Sequence, residues 1–337
     1  MNVLCFSWAP FGHRMDELSE AVNGRRATLS VLYGPRYLAP IRYVVLFVWT
    51  FLLLAKENPD VVYAQNPPVF CPFTALLYCR LAGKKLVIDH HAIWRVKTLG
   101  GGLVSGAIGS LERFVSAAAF ANTAPHPVWS RLLYQMGAKR VEVIHDCVAR
   151  NPYSRDESVR RKYSDGRILV VASHGGHPLE MVESEVYAAG MVPSMTLVIT
   201  GPEEKLGRRL SRMHLPKNVR YLGLLPVEEY MRLKASCDFA LNVTEEPYTL
   251  SHVLFEYAAS SVPIISSRQE VVEAVFGNSI LYINSSQPEV VAARLSMLST
   301  DPDQLLSLRK KVASKYEELA GTREEETETL RELLAGP

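Results

Sequence analysis

Two hydroxyl side chains and a carboxylate lie close together in the stretch Thr244–Ser267, and their order indicates a ligand site. Thr249 and Ser251 precede the apolar run from His252 to Ala259, in which Glu256 is the single charge. The N–H groups at a helix start attract anions, and a carboxylate further along the helix can accept hydrogen bonds from a ribose diol. The pattern predicts a site for a phosphorylated nucleoside, although a solvated helix face would also explain Glu256.

The elements around this stretch form a βαβ unit. Asp238–Val243 is short, apolar and β-rich, the polar residues after it form a loop, and Val262–Ser266 returns as a strand. Ser251 is placed to cap the helix between the two strands. Since such a helix opens at the carboxyl edge of a parallel sheet, we expect the loop and the helix start at that edge.

Composition limits the possible functions. The chain has 337 residues, of which 48% are hydrophobic and 21% charged, as in a globular protein of two domains. A net charge of +2, without a basic run among aromatic residues, argues against nucleic-acid binding. The scattered cysteines lack zinc-ligand spacing and favour reduced thiols in a cytoplasmic protein. The opening MNVLCFSWAP is interpreted as a buried first strand rather than a secretion signal.

Strands and helices alternate through two successive halves, the first beginning at Val3–Ser7 and the second at Ile168–Ala172. In the first half the second strand is predicted at Thr28–Tyr33. Alternation with nearly continuous apolar strands predicts parallel sheets covered on both faces, and hence an α/β fold of two doubly wound domains facing a central cleft. The predicted domains are 1–148 and 167–320, joined by a hinge over 149–166. A charged helix is predicted over 321–337, and one option is that it packs against the first domain.

An apolar segment over 41–56 complicates the cytoplasmic assignment. Its centre, Tyr43–Ala55, contains Thr50 as its one polar side chain and lies between Arg42 and Lys56. This run is shorter than the roughly 20 apolar residues that cross a bilayer. Two interpretations stay open, a buried core helix or a helix that contacts a membrane interface.

Several motifs, taken in order, resemble family 4 glycosyltransferases of the GT-B fold. SWAPFG, DVVYAQNPP, LVIDHH, VIHD, TLVITGP and FEYAASSVPII follow one another along nearly the whole chain. In that family two Rossmann-like domains face a cleft, and the second binds a nucleotide sugar while the first binds the acceptor. The resemblance implies a hexosyltransferase. No Asp-x-Asp stands at a strand end, so we expect no metal cofactor.

The resemblance assigns donor-binding roles residue by residue. Glu256 matches the glutamate that binds the ribose. The other donor-binding candidates match loops that hold the diphosphate or border the base: Thr249, Leu250, Ser251, His252, Ser173, Gly175, Gly176, Gly201, Gly223, Leu224 and Gly12.

The same resemblance gives candidate catalytic residues in the first domain. Asp89 and His91 in LVIDHH match a strand end that carries an acid and a histidine. Asp89 is predicted to act as general base on an acceptor hydroxyl, and His91 to contact the sugar or the transferred charge. The alternative for His91 is a hydrogen-bonded core histidine. Gln65 and Asn66 are expected to line the acceptor side.

Three departures from the family pattern concern the donor site. Tyr248 stands where many relatives have an acid, and Glu245 or Glu246 could substitute for it. No Arg/Lys pair occurs between Ser173 and Glu180 to face a diphosphate. Ser261 replaces a common glycine, a change that is costly where the backbone needs a positive φ.

The predicted function is transfer of a sugar from a UDP- or GDP-sugar to a lipid-linked or membrane-associated acceptor. The expected location is the cytoplasm, with peripheral contact to the inner face of the membrane through 41–56. A nucleotide-sugar epimerase or hydrolase on the same fold is one alternative. A catalytically degenerate subunit that acts as a binding partner is another. Retention and inversion of the anomeric configuration both stay open.

Overall fold

The computed structural model describes residues 1–8, 13–31, 36–91, 102–146 and 148–336. The chain divides into two compact units, the first formed by Met1–Asp146 with Gly321–Pro337 and the second by Cys147–Ala320. Each unit contains a six-stranded sheet in which all the recorded strand pairs are parallel. The predicted α/β fold with two doubly wound, Rossmann-like sheets is confirmed.

The sheet of the first unit has the strand order β2-β1-β3-β4-β5-β6. Its strands are β1 (Val3–Ser7), β2 (Arg25–Thr28), β3 (Val61–Asn66), β4 (Lys85–His90), β5 (Ala121–Ala124) and β6 (Val141–Val143). Its helices are α1 (His13–Ala21), α2 (Ala39–Glu57), α3 (Phe70–Ala82), α4 (Leu103–Ala118) and α5 (Pro127–Gln135). The order reverses between β1 and β3, which is where open parallel sheets bind ligands.

The prediction of a second strand at Thr28–Tyr33 is wrong over residues 29–31, because β2 covers Arg25–Thr28. Leu32 and Tyr33, at the end of the predicted strand, lie outside the described residues. β2 is the edge strand and pairs with β1 from the register Leu4↔Arg25 onward. Its arginines find partners beside the sheet, with Arg26 Nε 2.8 Å from Asp16 Oδ1. An edge strand tolerates such polar side chains, so the more apolar residues that follow were a misleading signal.

Helix α2 packs against the first unit along one stripe and leaves the rest exposed. Leu46, Thr50 and Leu54 are buried, and Trp8 Nε1 donates a hydrogen bond to Thr50 Oγ1 at 2.8 Å. The helix has 19 residues with a mean hydropathy of 1.6, which is long and apolar enough to cross a membrane, and 17% of that window is buried. It is therefore longer than the apolar run suggested, and the interpretation as a fully buried core helix is wrong.

The sheet of the second unit has the strand order β12-β11-β10-β7-β8-β9. Its strands are β7 (Ile168–Ser173), β8 (Met195–Thr200), β9 (Val219–Tyr221), β10 (Phe239–Asn242), β11 (Ile264–Ser267) and β12 (Leu281–Ile283). Its helices are α6 (Glu157–Ser164), α7 (Val182–Gly190), α8 (Val227–Ser236), α9 (His252–Ala259), α10 (Glu270–Phe276), α11 (Pro288–Ser299) and the start of α12 (Pro302–Ala335). A further helical segment lies at Glu203–Gly207 and Arg208–Leu210. The order reverses between β7 and β10, which again marks a binding edge.

The segment 149–166, predicted as a hinge, contains regular structure. Asp156 caps α6 by accepting a hydrogen bond from Ser158 N–H at 2.8 Å. Arg160 in α6 lies 2.9 Å from Asp238, just before β10, so this helix is tied to the second sheet.

The end of α12 belongs to the first unit. Leu330, Leu333 and Leu334 are buried in the same core cluster as Val3 and other residues of the first sheet. Near them, Glu326 accepts a hydrogen bond from His145 N–H at 2.8 Å. The division between the units, Ala320/Gly321, therefore falls inside α12.

Candidate functional site

The carboxyl edge of the second sheet brings two loops together, one after β7 and one after β10. Thr244 forms an isolated bridge with Glu180, and Glu245 N–H donates to Leu179 O at 2.9 Å. His177 Nδ1 lies 3.3 Å from Glu246 Oε2. The glycine turn after β7 and the polar loop before α9 thus form one surface at the point where the strand order reverses.

Glu256 lies on α9 beside this surface and is held by two donors from α8. Lys234 Nζ lies 2.8 Å from Glu256 Oε2, and Tyr230 Oη donates to the same oxygen at 3.0 Å. Oε1 has no partner among the residues that the structure describes, and the side chain is 27% exposed. One carboxylate oxygen is therefore anchored while the other is available to accept from a ligand hydroxyl.

Lys234 is nearly fully buried, with a side chain that is 1% exposed. Burial lowers the pKa of Lys234, and the neighbouring Glu256 partly offsets this effect. Burial and Glu256 together raise the pKa of Tyr230, so this phenol stays a hydrogen-bond donor. Tyr230 and Lys234 are four residues apart and so lie on the same face of α8, from which both contact Oε2 of Glu256.

Ser173 at the end of β7 is engaged within the fold. Its Oγ lies 2.9 Å from Tyr257 Oη, and Thr200 Oγ1 donates to it at 3.0 Å. The side chain is buried, so it joins α9 to the sheet rather than facing a ligand directly. Its predicted place beside the diphosphate stays a prediction.

The two glycines predicted to border the base are brought together. Gly201 N–H donates to Gly223 O at 3.0 Å, and Leu224 next to them is exposed. A Cβ on Gly201 would lie 2.3 Å from His174 O, so no larger residue fits there. This close approach joins the turns after β7, β8 and β9 at the same edge.

The residues before α9 show one difference from the prediction. Ser251 occupies the N-cap position, but its side chain makes no capping hydrogen bond. The first-turn N–H groups of α9 are not satisfied by this side chain and remain suited to an anion. Thr249 and Leu250 are partly exposed, and His252 is exposed, beside this helix start.

The Tyr248 and Ser261 departures both fall on backbone with positive φ. Tyr248 has φ 62° and Ser261 has φ 54°, the left-handed region that favours glycine. At Ser261 the structure thus shows the condition under which a lost glycine is costly.

A cavity of about 570 Å³ adjoins the carboxyl ends of β10, β11 and β12. It shares Thr244 and Tyr248 with the loop before α9, and Gln269 and Asn284 add amide groups to its wall. This volume lies within the range of small-molecule sites. The cavity extends the candidate surface toward β12.

Asp89 in the first unit lies in a buried ion pair. Arg14 Nε donates to its two oxygens at 3.1 and 3.2 Å, and Thr123 Oγ1 donates to Oδ1 at 2.9 Å. The same arginine lies 2.7 Å from Asp146 Oδ1. Burial lowers the pKa of Arg14, but the two carboxylates outweigh this effect and raise it. Asp89 has no exposed surface, so this geometry is that of a structural ion pair, and the general-base role stays a prediction.

His91 and the predicted acceptor-side residues lie at the carboxyl ends of β3 and β4. His91 is exposed, and its N–H donates to Asn66 O at 2.9 Å. Gln65 and Asn66, expected to line the acceptor side, are buried, and Asn66 Nδ2 donates to Glu112 Oε1 at 2.7 Å. They support the strand end from inside, and their contact with an acceptor stays a prediction. Gly12 lies outside the described residues.

Sequence reasoning missed the basic partners of both acids. Arg14 and Asp89 are 75 positions apart, and Lys234 and Glu256 are 22 apart, so neither pair has a local signature. The sequence offers no signal for Lys234, because Arg232 precedes it by two positions in the same helix and is exposed while Lys234 is buried. Among the described residues, no group of three or more His, Cys, Asp or Glu side chains is placed to hold a metal ion.

Two family models match the chain, one in each unit. A model described as "Glycosyl transferase 4-like domain" matches residues 2–147, and one described as "Glycosyl transferase-like" matches residues 184–320. Together the two models span most of the chain. No curated protein matches it significantly.

Solved structures share the fold over nearly their whole length. Sucrose-phosphate synthase from Thermosynechococcus elongatus has a TM-score of 0.82 at 14% identity, covering 99% of this chain and 100% of that one. HepE from Anabaena, solved with UDP and glucose, has a TM-score of 0.74 at 14% identity, covering 98% and 99%. A glycosyltransferase from Rickettsia africae has a TM-score of 0.65 at 12% identity, covering 98% and 90%. These likenesses confirm the predicted GT-B fold.

Proposed function

The chain is a glycosyltransferase of the GT-B fold that resembles family 4, and we propose that its second unit binds a UDP- or GDP-sugar for transfer to a membrane-associated acceptor. The observation that carries the proposal is the way in which the carboxylate of Glu256 is held. Its Oε2 is anchored by Lys234 and Tyr230, which leaves Oε1 for the ribose hydroxyls. The uncapped start of α9 lies one and a half turns away and suits the diphosphate.

UDP-glucose is the first donor to test. HepE was solved with UDP and with UDP-glucose, and it shares the fold with this chain along nearly the full length. The turns containing Gly201 and Gly223 lie at the same edge as α9, which supports their proposed contact with the base. The cavity beside Tyr248 offers space for the sugar.

The acceptor part of the proposal rests on helix α2. Its outer face carries six exposed apolar side chains and no acidic one: Ile41, Val44, Val45, Val48, Trp49 and Leu52. A patch of this kind marks an interaction surface, and its flanking Arg42 and Lys56 suit an anionic membrane. The buried stripe at Leu46, Thr50 and Leu54 holds the helix against the unit, which favours peripheral contact over crossing. The corresponding location is the cytoplasmic face of a membrane.

The proposed transfer proceeds without a resident metal. Backbone amides at the start of α9 and basic side chains on the protein would offset the charge of the leaving nucleotide. Of the two predicted catalytic residues, His91 is the exposed one, which supports a contact with the acceptor or sugar as its role in the proposal. Undiminished turnover after EDTA treatment is the expected result, and activity restored only by added Mg²⁺ or Mn²⁺ would contradict it.

The main experiment is incubation with a panel of UDP- and GDP-sugars, with and without membrane lipid extract, followed by measurement of nucleotide release and lipid glycosylation. We expect release that depends on lipid for one donor, with the sugar recovered on the lipid. Free sugar released without lipid would instead indicate a hydrolase. Donor binding without turnover would indicate a degenerate subunit.

The membrane contact is tested by co-sedimentation with vesicles that contain anionic lipid. Replacing Val44, Val48 and Leu52 together by aspartate should abolish sedimentation, because three charges would enter the apolar face. A matched control replaces the exposed apolar residues Val227, Leu306 and Tyr187 of the second unit by aspartate. Equal sedimentation of both variants and the unmodified protein would contradict the assignment to α2.

A further inference from the structure

Three consecutive backbone amides after β7 converge on one carboxylate. Gly175 N–H donates to Glu180 Oε1 at 2.9 Å, while Gly176 N–H and His177 N–H donate to Glu180 Oε2 at 2.7 and 2.8 Å. Successive N–H groups that point into one concavity form an anion-binding nest. The carboxylate in this nest is supplied by the chain itself, and its side chain is 18% exposed.

A buried histidine faces the same carboxylate. The His174 side chain is fully buried, and its Nε2 lies 2.6 Å from Glu185 Oε2, which is also fully buried. Its other nitrogen, Nδ1, has no hydrogen-bond partner among the described residues and lies 3.9 Å from Glu180 Oε2. The Nδ1 atom of His174 thus faces the anion in the nest. A loop with a purely structural role does not require a buried polar atom in this position.

The nest conformation depends on glycine and lies beside a lysine. Gly176 has φ 80°, in the region that L-residues rarely adopt. A Cβ on Gly176 would lie 2.6 Å from Lys205 Cβ, so the lysine stem passes directly against the turn. Lys205 is exposed and has no ion pair within the part of the chain that the structure describes. It is a cation within reach of a larger anion at this place.

We propose that the amides of Gly175, Gly176 and His177 form a phosphate cradle, and that the Glu180 carboxylate stands in for the phosphate group when no ligand is bound. The proposal rests on the proposed function in taking the phosphate to be one of a nucleoside diphosphate sugar. His174 and Lys205 take the place of the Arg/Lys pair that is absent between Ser173 and Glu180. Glu180 is then a competitor for the donor rather than a contact to it.

Only one anion fits against the three amides, so a phosphate oxygen must displace the carboxylate. Like charges a few ångströms apart repel, so Glu180 cannot remain beside a bound phosphate in its present rotamer. The competing explanation is that Glu180 only staples the loop. The two explanations predict opposite changes in anion affinity when the Glu180 carboxylate is removed. Loss of a competitor strengthens anion binding, while loss of a contact that holds the loop weakens it.

The experiment compares Glu180→Gln and Glu180→Ala with the unmodified protein, using pyrophosphate, UDP and uridine as calorimetric ligands. We expect both variants to bind pyrophosphate and UDP about ten-fold more tightly and uridine with unchanged affinity, because uridine carries no phosphate. Glu183→Gln is the matched control. It removes a carboxylate from the same segment that is paired with Arg209 rather than with the amides, and its effect should stay within two-fold.

A second measurement does not depend on the variants. Pyrophosphate should shift the amide resonances of Gly175, Gly176 and His177 in the ¹⁵N spectrum of the unmodified protein. Unshifted amides at saturating pyrophosphate, or weaker UDP binding by both Glu180 variants, would overturn the cradle.

The same data separate the cradle from the proposed function. Equal UDP affinity in the unmodified protein and both Glu180 variants would overturn the cradle and leave nucleotide-sugar binding intact. Tighter pyrophosphate binding by the Glu180 variants, with no binding of UDP, GDP or their sugars by any of the proteins, would support the cradle and overturn the donor assignment.

Discussion

Each unit has an acidic side chain near the carboxyl edge of its sheet, Asp89 in β4 and Glu256 in α9, and the two acids are held differently. Asp89 in the first unit has no exposed surface, and its oxygens accept from Arg14 and Thr123. Glu256 in the second unit is about one quarter exposed, and its two protein donors share a single oxygen. The first arrangement uses the acid's hydrogen-bonding capacity inside the fold, while the second reserves part of it.

The difference separates an acid whose oxygens are used inside the fold from an acid that can still accept a hydrogen bond from a ligand. A buried, fully paired charge is costly to disturb because its partner would be left alone in a low-dielectric interior. A partly exposed carboxylate with one anchored oxygen is preorganised for a ligand, while the anchored oxygen also compensates the buried Lys234. Substitution of either acid should therefore affect stability, while substitution of Glu256 should in addition weaken ligand binding.

The largest expected effect is on stability, for Asp89→Asn. The variant leaves the buried Arg14 with less compensation, and removing one member of a buried pair costs about 3–5 kcal/mol. Urea unfolding of the first unit, followed by hydrogen exchange of β3 and β4 amides, measures the loss. Asp16→Asn removes an exposed partner of Arg26 and should cost less than about 1 kcal/mol. Equal decreases in the free energy of unfolding of the Asp89→Asn and Asp16→Asn variants would contradict a structural role for Asp89.

The second effect is on binding, for Glu256→Gln. Loss of charge-assisted hydrogen bonds to the ribose costs about 2 kcal/mol, or roughly thirty-fold in the Kd of the preferred nucleoside diphosphate. Calorimetry checks the affinity and thermal unfolding checks that the fold is retained. Glu228→Gln, which removes an exposed carboxylate on the neighbouring α8, is the control and should leave the Kd within two-fold. Affinity unchanged at position 256 would remove the ribose assignment.

A smaller effect concerns the backbone behind Glu256. Ser261→Gly should raise the free energy of unfolding of the second unit by about 0.5–1 kcal/mol, because glycine adopts the left-handed φ without strain. Ser296→Gly, in the exposed part of α11, should lower it by about the same amount. Chemical denaturation measures the free energy of unfolding of both variants. A decrease in the Ser261→Gly variant would contradict backbone strain at this position.

The smallest expected effect is a pH dependence from His174. Burial lowers its pKa, but Glu185 outweighs burial and raises the pKa above the ordinary value near 6.5. The folded state then binds the proton more tightly than the unfolded state, so the stabilisation is complete below about pH 6.5 and declines as pH rises through the folded pKa. Unfolding curves from pH 5.5 to 8.5 should show this decline, and His174→Gln should flatten it. The same dependence of stability on pH in the variant would contradict the ion pair between His174 and Glu185.

The sequence was sufficient for the features that depend on local pattern. Alternating apolar strands and helices predicted the two parallel sheets, and the nearly continuous apolar run predicted the helix His252–Ala259. These signals are periodic or confined to a few neighbouring residues, so they survive without any knowledge of packing.

The features that depend on long-range contacts were not predictable. An apolar helix such as α2 carries no pattern that tells which face is covered, so its exposed side appeared only in the structure. Asp89 read as an accessible acid because the position of Arg14 is set by the packing of α1. The nest around Glu180 depends on the turn at Gly176, whose φ is not encoded by the spacing of polar residues.

The outer face of α2 also affects how the protein behaves at the bench. A helix 19 residues long, with Trp49 and its apolar neighbours turned outward, will adsorb to plastic and to air–water interfaces as readily as to lipid. Specific activity should fall on serial dilution in detergent-free buffer and recover when a mild non-ionic detergent or carrier vesicles are added. Assays of donor turnover therefore need a surfactant as a standard component.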